Sequence, residues 1–279
     1  MEDTSVKSTL PVSIVALGAS VALLAGCGSS DSSDTTSDAS ATESSAPGNT
    51  SSSEITGDIT VFAAASLKAV FTELGDVFES EHAGTKVEFN FAGSSDLVTQ
   101  LTQGAPADVF ASADTNNMIK AVDGDLVAGE PENFATNTLT IVTAPGNPKN
   151  VKTFGDLANP DVLTVICAPQ VPCGSATKKV EDATGTTISA VSEESAVTDV
   201  LGKVTSGQAD AGLVYVTDAA GVGDKVTAVA FPEAGEAVNT YPIAVLKGSD
   251  NAAAAAAFEA LVAGDAGEKV LADAGFAAP

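Results

Sequence analysis

Four short stretches place serines, glycines and other small residues where a strand hands over to a helix. They are Ala65-Ser66, Gly93-Ser94-Ser95, Pro172-Cys173-Gly174-Ser175 and Ser195-Ala196-Val197. The first turn of a helix carries N–H groups with no intrahelical partner and a partial positive charge. Several such ends aimed at one point form an anion site that needs no cation. A single Ser before a helix is ordinarily just a cap. Four such ends together with a tyrosine in an apolar run, Tyr215, point to a ligand. All twelve basic residues are lysines. The protein therefore has no guanidinium fork with which to clamp a carboxylate or phosphate.

The rest of the composition narrows the chemistry. Acidic residues outnumber basic ones 37 to 12, for a formal charge of −25. Such a field repels phosphate backbones, so nucleic acid is not expected as a partner. There is one histidine, His82, expected near the C-terminal end of a helix and exposed to solvent. A secreted serine hydrolase using Ser66 or Ser94 would have His82 as its only imidazole base, and no G-x-S-x-G elbow is present. The absence of tryptophan excludes a sugar site walled by stacked indoles. No D-x-D-x-D-G calcium loop occurs. Iron capture favours adjacent tyrosines, and the only two, Tyr215 and Tyr241, lie far apart in sequence.

The elements that must position these residues follow an alternating pattern. Buried strands are expected over 59–64, 86–91, 108–111, 139–144, 163–168, 211–217 and 241–246, each rich in apolar and β-branched residues. Helices are expected between them. One has Leu67, Val70, Phe71, Leu74 and Phe78 on one face, with Ser66 as its N-cap. Others begin after Gly93, near Thr115, near Ser175 and near Glu194, and two close the chain over 251–262 and 266–272. Alternation of this kind implies an α/β fold with parallel sheets covered by helices, and ligands at the carboxyl ends of strands.

The N-terminus is read as an address. Residues 14–25 (IVALGASVALLA) are apolar but short for a membrane span, and fit the apolar region of a secretory signal. Leu24-Ala25-Gly26-Cys27 closes the run and resembles a bacterial lipoprotein signal, with Cys27 as the lipidated new N-terminus. Lys7 is the only basic residue ahead of it. Residues 28–55 are Ser-, Thr- and Asp-rich and read as a disordered tether, because they have too little apolar surface to offset ordering entropy.

Several motifs together resemble one family. Residues 59–67 (ITVFAAASL), 91–97 (FAGSSDL), 104–110 (GAPADVF), 171–174 (VPCG), 212–219 (GLVYVTDA) and 241–244 (YPIA) are similar to the periplasmic molybdate-binding proteins. These are the capture components of ATP-binding-cassette importers. The likeness runs in order from Gly57 to Phe276. It implies a two-lobed periplasmic-binding-protein fold of type II, with the oxyanion in the cleft. Lobe 1 would comprise 56–139 and 240–279, and lobe 2 would comprise 140–239. The ligand set it implies is Ser66 and Ser94 through hydroxyl and N–H, Cys173 and Val197 through N–H, and Tyr215 through its hydroxyl. Val197 is reached by counting back from Tyr215. Molybdate or tungstate would be cargo, with no direct protein ligand to the metal and no cofactor. The expected partners are a membrane permease and its ATPase, reached by a lipid-anchored monomer with no enzymatic activity. Sulfate, phosphate or a ligand-free surface role are the alternatives. Outside the cytoplasm, Cys167 and Cys173 are expected to pair; the alternative is two thiols, with Cys173 standing in for an alanine.

Overall fold

The computed structural model describes residues 55–279. The signal with Cys27, and residues 28–54 of the expected tether, lie outside the described residues. The chain runs β1 (Ile59–Ala64), α1 (Lys68–Glu81), β2 (Val87–Ala92), α2 (Ser94–Thr102), β3 (Val109–Ala111), α3 (Thr115–Asp123), β4 (Glu132–Asn137) and β5 (Leu139–Thr143). It continues through β6 (Thr164–Cys167), α4 (Pro172–Thr184), β7 (Ser192–Glu194), α5 (Val197–Thr205), β8 (Ala211–Tyr215) and α6 (Val216–Val222). It ends with β9 (Thr227–Val229), β10 (Asn239–Val245), α7 (Ala252–Ala263) and α8 (Asp265–Asp273).

Two five-stranded sheets result, ordered β2-β1-β3-β10-β4 and β7-β6-β8-β5-β9. Each is the centre of one lobe. The chain passes from the first to the second at Thr138, between β4 and β5, and returns between β9 and β10. The sheets are mixed, not parallel as alternation alone suggested. β10 runs antiparallel to β3 and β4, and β5 antiparallel to β8 and β9. The reason is the double crossing: β5 and β10 enter their sheets from the neighbouring lobe, not through a helical crossover.

Packing explains why these residues form these elements. In β1 five of six side chains are buried, and α1 turns Val70, Phe71, Leu74 and Phe78 onto the same core. Phe258 of α7 meets Phe71 and Phe78 edge-on, with ring centroids 5.9 and 5.6 Å away. On the other face of the first sheet Leu97, Val98 and Leu101 of α2 pack with Met118 of α3 on Phe62 and Phe110. In the second lobe Val197, Val200, Leu201 and Val204 form the buried stripe of α5. His82 caps the C-terminal end of α1 half-buried, its ring 4.5 Å from Phe78, and is not fully exposed as expected.

Candidate functional site

The four strand-to-helix junctions converge on one small, tightly closed cavity. Ser66, Ser94, Cys173, Val197 and Tyr215 all line it, together with Ala64, Ala65, Gly93, Ala113, Val171 and Pro172. None of these side chains carries a charge. Ser66 and Ser94 come from the first lobe, and Cys173, Val197 and Tyr215 from the second.

Each junction presents free donors for a local reason. At α2 the N-cap is Gly93, whose carbonyl accepts from Asp96 and Leu97. The N–H groups of Ser94 and Ser95 in the first turn are left without intrahelical partners. At α4 Pro172 occupies the first helical position, where its missing N–H costs nothing, and Cys173 and Gly174 supply the next two. At α5 the Ala196 carbonyl accepts from Asp199 and Val200, which frees the N–H of Val197. Ser66 differs from expectation. It is not the N-cap of α1, which starts two residues later with no side-chain cap. It sits in a 3-10 turn, Ala65–Leu67, that carries β1 straight into the helix. Its Oγ is thereby free of capping and lies 3.1 Å from the Tyr241 hydroxyl.

Rigid supports hold the donors. A disulfide joins Cys167, at the end of β6, to Cys173 in the first turn of α4, with Cα atoms 5.6 Å apart. The helix start is pressed so close to β6 that a Cβ on Gly174 would lie 2.0 Å from the Ala168 carbonyl oxygen. Ser94 Oγ accepts the N–H of Ala113 at 3.0 Å. A backbone N–H can only donate, so the Ser94 proton is left to point into the cavity. Tyr215 is fully buried, and its hydroxyl accepts from Asn239 Nδ2 at 2.9 Å. Burial first, then the Tyr241 phenol and the charges of Asp114 and Asp218, push the Tyr215 phenol well above the usual tyrosine range. It is therefore a protonated donor at any physiological pH.

Sequence distance misjudged the tyrosines. Tyr215 and Tyr241 meet edge-on with ring centroids 5.9 Å apart. Only Tyr215 lines the cavity, while Tyr241 serves as support for Ser66. His82 stands at the far end of α1, about 20 Å of helix from Ser66 at 1.5 Å per residue, so neither serine has an imidazole base. Asp218 and Asn239 were not singled out from the sequence. A short acidic residue three positions after a strand, and an asparagine before YPIA, carry no distinctive spacing.

Asp218 accepts the N–H of Tyr215 at 3.1 Å and thereby turns β8 into α6. Burial pushes its carboxyl from the ordinary 3.8 to about 7, against the lowering effect of that hydrogen bond. The folded state thus holds a proton that the unfolded chain releases. The stabilisation is complete below the ordinary carboxylate pKa and is lost as the pH rises through about 7. The slope is about 1.4 kcal/mol per pH unit across that window. Asp218→Asn keeps the acceptor and removes the titration, so its melting temperature should fall less than that of the wild type between pH 5 and 8. Parallel pH profiles for the two proteins would contradict this assignment.

The fold and site together define a two-lobed binding protein with an uncharged, donor-lined cavity between its lobes. Residues 59–277 match the family described as Bacterial extracellular solute-binding protein. The molybdate-binding protein ModA of Mycobacterium tuberculosis is 57% identical over 221 residues, spanning 79% of this chain and 85% of that one. Among solved structures, the Azotobacter vinelandii periplasmic molybdate-binding protein superposes with a TM-score of 0.68 at 23% identity, covering 79% of this chain and 99% of that one. The sulfate-binding protein SubI of M. tuberculosis gives 0.69 at 20%, covering 78% and 86%. Fold likeness alone therefore does not choose the anion; the sequence relationship is what distinguishes them. The chain belongs to the bacterial extracellular solute-binding proteins and, within them, to the molybdate-binding ModA proteins.

Proposed function

We propose that this protein captures molybdate, and tungstate with it, outside the cytoplasm and delivers the anion to the permease and ATPase of an ATP-binding-cassette importer. It acts as a carrier, not an enzyme. The observation that carries the reading is a cavity lined from both lobes by N–H and O–H donors, with no charged side chain in its wall. The proposed ligands are the N–H and O–H of Ser66 and Ser94, the N–H groups of Cys173 and Val197, and the hydroxyl of Tyr215. They hold the oxygens, and molybdenum itself has no protein ligand.

The physics favours a fully ionised dianion. It has no proton to give, so a cage of donors satisfies it, whereas a proton-bearing oxyanion is best held by a carboxylate acceptor, and no carboxylate lines the wall. Each charge-assisted hydrogen bond contributes about 1.5–3 kcal/mol, and five to seven of them offset desolvation. Repulsion from the acidic surface is screened beyond about 8–10 Å. Cavity size would discriminate molybdate from the smaller sulfate. Calorimetric titration with molybdate, tungstate, sulfate and phosphate side by side tests the reading. The first two should bind, and sulfate or phosphate should be weaker by about 100-fold or more, roughly 2.7 kcal/mol. Sulfate or phosphate binding as tightly as molybdate would overturn it.

The family's extracellular setting agrees with the signal read in the sequence, and no helix among the described residues is long and apolar enough to cross a membrane. We assign membrane attachment to lipid on Cys27. Cys27→Ser should move the protein from the detergent phase to the aqueous phase in a phase-separation assay. Equal partitioning of variant and wild type would count against the anchor.

A further inference from the structure

The hinge strands β4 and β10 face each other at Asn137 and Asn239, which are register partners. Directly opposed residues of an antiparallel pair project to the same face, and here both buried amides reach the end of β8. Asn137 Nδ2 donates to Thr217 Oγ1 at 2.8 Å, and Asn239 Nδ2 donates to the Tyr215 hydroxyl. Asn239 Nδ2 also donates to the Ala113 carbonyl at 2.7 Å and lies 3.4 Å from that of Pro172. We propose that Asn239 is a positioning residue that makes the Tyr215 hydroxyl an obligate donor to the bound anion. This deepens the reading of Tyr215 as a ligand and rests on it.

Two carbonyls crowd one end of the Asn239 amide, and carbonyls only accept, so that end is the NH2 group. An amide NH2 cannot accept. The Tyr215 oxygen must therefore be the acceptor in its bond with Asn239, and its own proton must point elsewhere. Two acceptors compete for that proton: the Tyr241 hydroxyl, which interacts with it, and an anion in the cavity. A hydrogen bond to a charged acceptor is worth about twice a neutral one, so the anion takes the proton. The backbone of one residue, Ala113, ties the two lobes into the same scheme. Its N–H fixes Ser94 and its carbonyl fixes Asn239, so two consecutive peptide groups free the hydroxyl protons of both Ser94 and Tyr215. Without Asn239 the Tyr215 hydroxyl could turn its proton toward the Ala113 or Pro172 carbonyl and present a lone pair to the ligand.

A double-mutant cycle tests this, with molybdate as the titrant. Asn239→Ala should weaken molybdate binding about 10-fold in the protein with Tyr215, and by less than about 2-fold in the Tyr215→Phe background. Equal losses in both backgrounds would make Asn239 a packing residue and overturn the proposal, as would no loss in the first. If Tyr215→Phe alone binds like the wild type, the ligand role of Tyr215 fails, and this inference falls with it; that outcome is read from the single variant. Asn239→Thr keeps one hydroxyl donor and suits a strand, and carries the same cycle should the alanine variant not fold, with a smaller loss expected. A second readout is spectroscopic. The chain has two tyrosines and no tryptophan, so the molybdate-induced difference spectrum in the tyrosine absorption band, corrected for molybdate's own absorbance, reports mainly the phenols. It should shrink in Asn239→Ala at saturating molybdate, and an unchanged spectrum would contradict the mechanism.

Discussion

Gly93→Ala is expected to lower molybdate affinity by at least about 100-fold, roughly 2.7 kcal/mol, while the ligand-free protein keeps nearly its full stability. Gly93 lies in the loop that delivers Ser94, and it has ordinary backbone angles of φ −60° and ψ 138°. Alanine adopts these without strain. The obstacle is across the cleft. A Cβ on Gly93 would sit 1.9 Å from the carbonyl oxygen of Ser195, in the loop that delivers Val197 from the other lobe. Both atoms in that clash are fixed by backbone, so no side chain can turn away.

The two lobes can avoid the clash only by standing further apart. That separation deprives the anion of simultaneous donors from both sides. It also stretches direct contacts between the lobes, such as Asn117 Nδ2 to the Gln170 carbonyl at 3.4 Å and Asn116 Nδ2 to Ser175 Oγ at 3.5 Å. Each lobe keeps its own core, so the unfolding free energy without molybdate should drop by no more than the loss of a favourable N-cap, about 1 kcal/mol. Calorimetry gives the affinity, and small-angle scattering gives the contraction on adding molybdate, which the variant should lack. Wild-type affinity in Gly93→Ala would show that the lobes need not meet at this point for binding.

What the sequence disclosed, and what it withheld, follows from burial. β1, β5, β8 and β10 were legible because both of their faces are buried and their residues read as continuous apolar runs. The strands not anticipated, β4, β7 and β9, all lie at sheet edges. Their sequences, ENFATN, SEE and TAV, have no apolar run because one side faces solvent. Val216 and Thr217 read as a continuation of β8, being β-branched. The Asp218 carboxylate, reaching back to the Tyr215 N–H, ends the strand there, and such a contact leaves no periodic trace. The five expected site residues do line one cavity. Residue types alone gave the chemistry, donors without a cation, but the particular set came from resemblance. The supports behind them, Tyr241 under Ser66, Ala113 under Ser94 and Asn239 under Tyr215, join residues separated by 175, 19 and 24 positions. Only the fold brings such pairs together.

Tyr215→Phe removes one hydroxyl and keeps the ring, so the edge-on contact with Tyr241 and the packing of β8 should survive. If the hydroxyl donates to a buried dianion, molybdate affinity should fall by about 1.5–3 kcal/mol, roughly 10- to 150-fold. The expected size is at the upper end, because the phenol is fully buried and no water can replace its proton. Three comparisons give the number its meaning. Ser66→Ala should cost less, since its N–H stays in the 3-10 turn and only the hydroxyl shared with Tyr241 is lost. Val197→Ala should be nearly silent for binding, because only its amide is proposed as a ligand. Lys178→Ala and Lys179→Ala should be mild, because Lys178 is an exposed partner of Asp182 and neither lysine lines the cavity. A strong tyrosine effect beside weak lysine effects is the signature of a neutral donor cage, whereas a salt-bridged anion site predicts the reverse. Calorimetry on the five variants at one ionic strength decides between them. Wild-type molybdate binding by Tyr215→Phe, with binding abolished in either lysine variant, would refute the cage even though the family assignment stands.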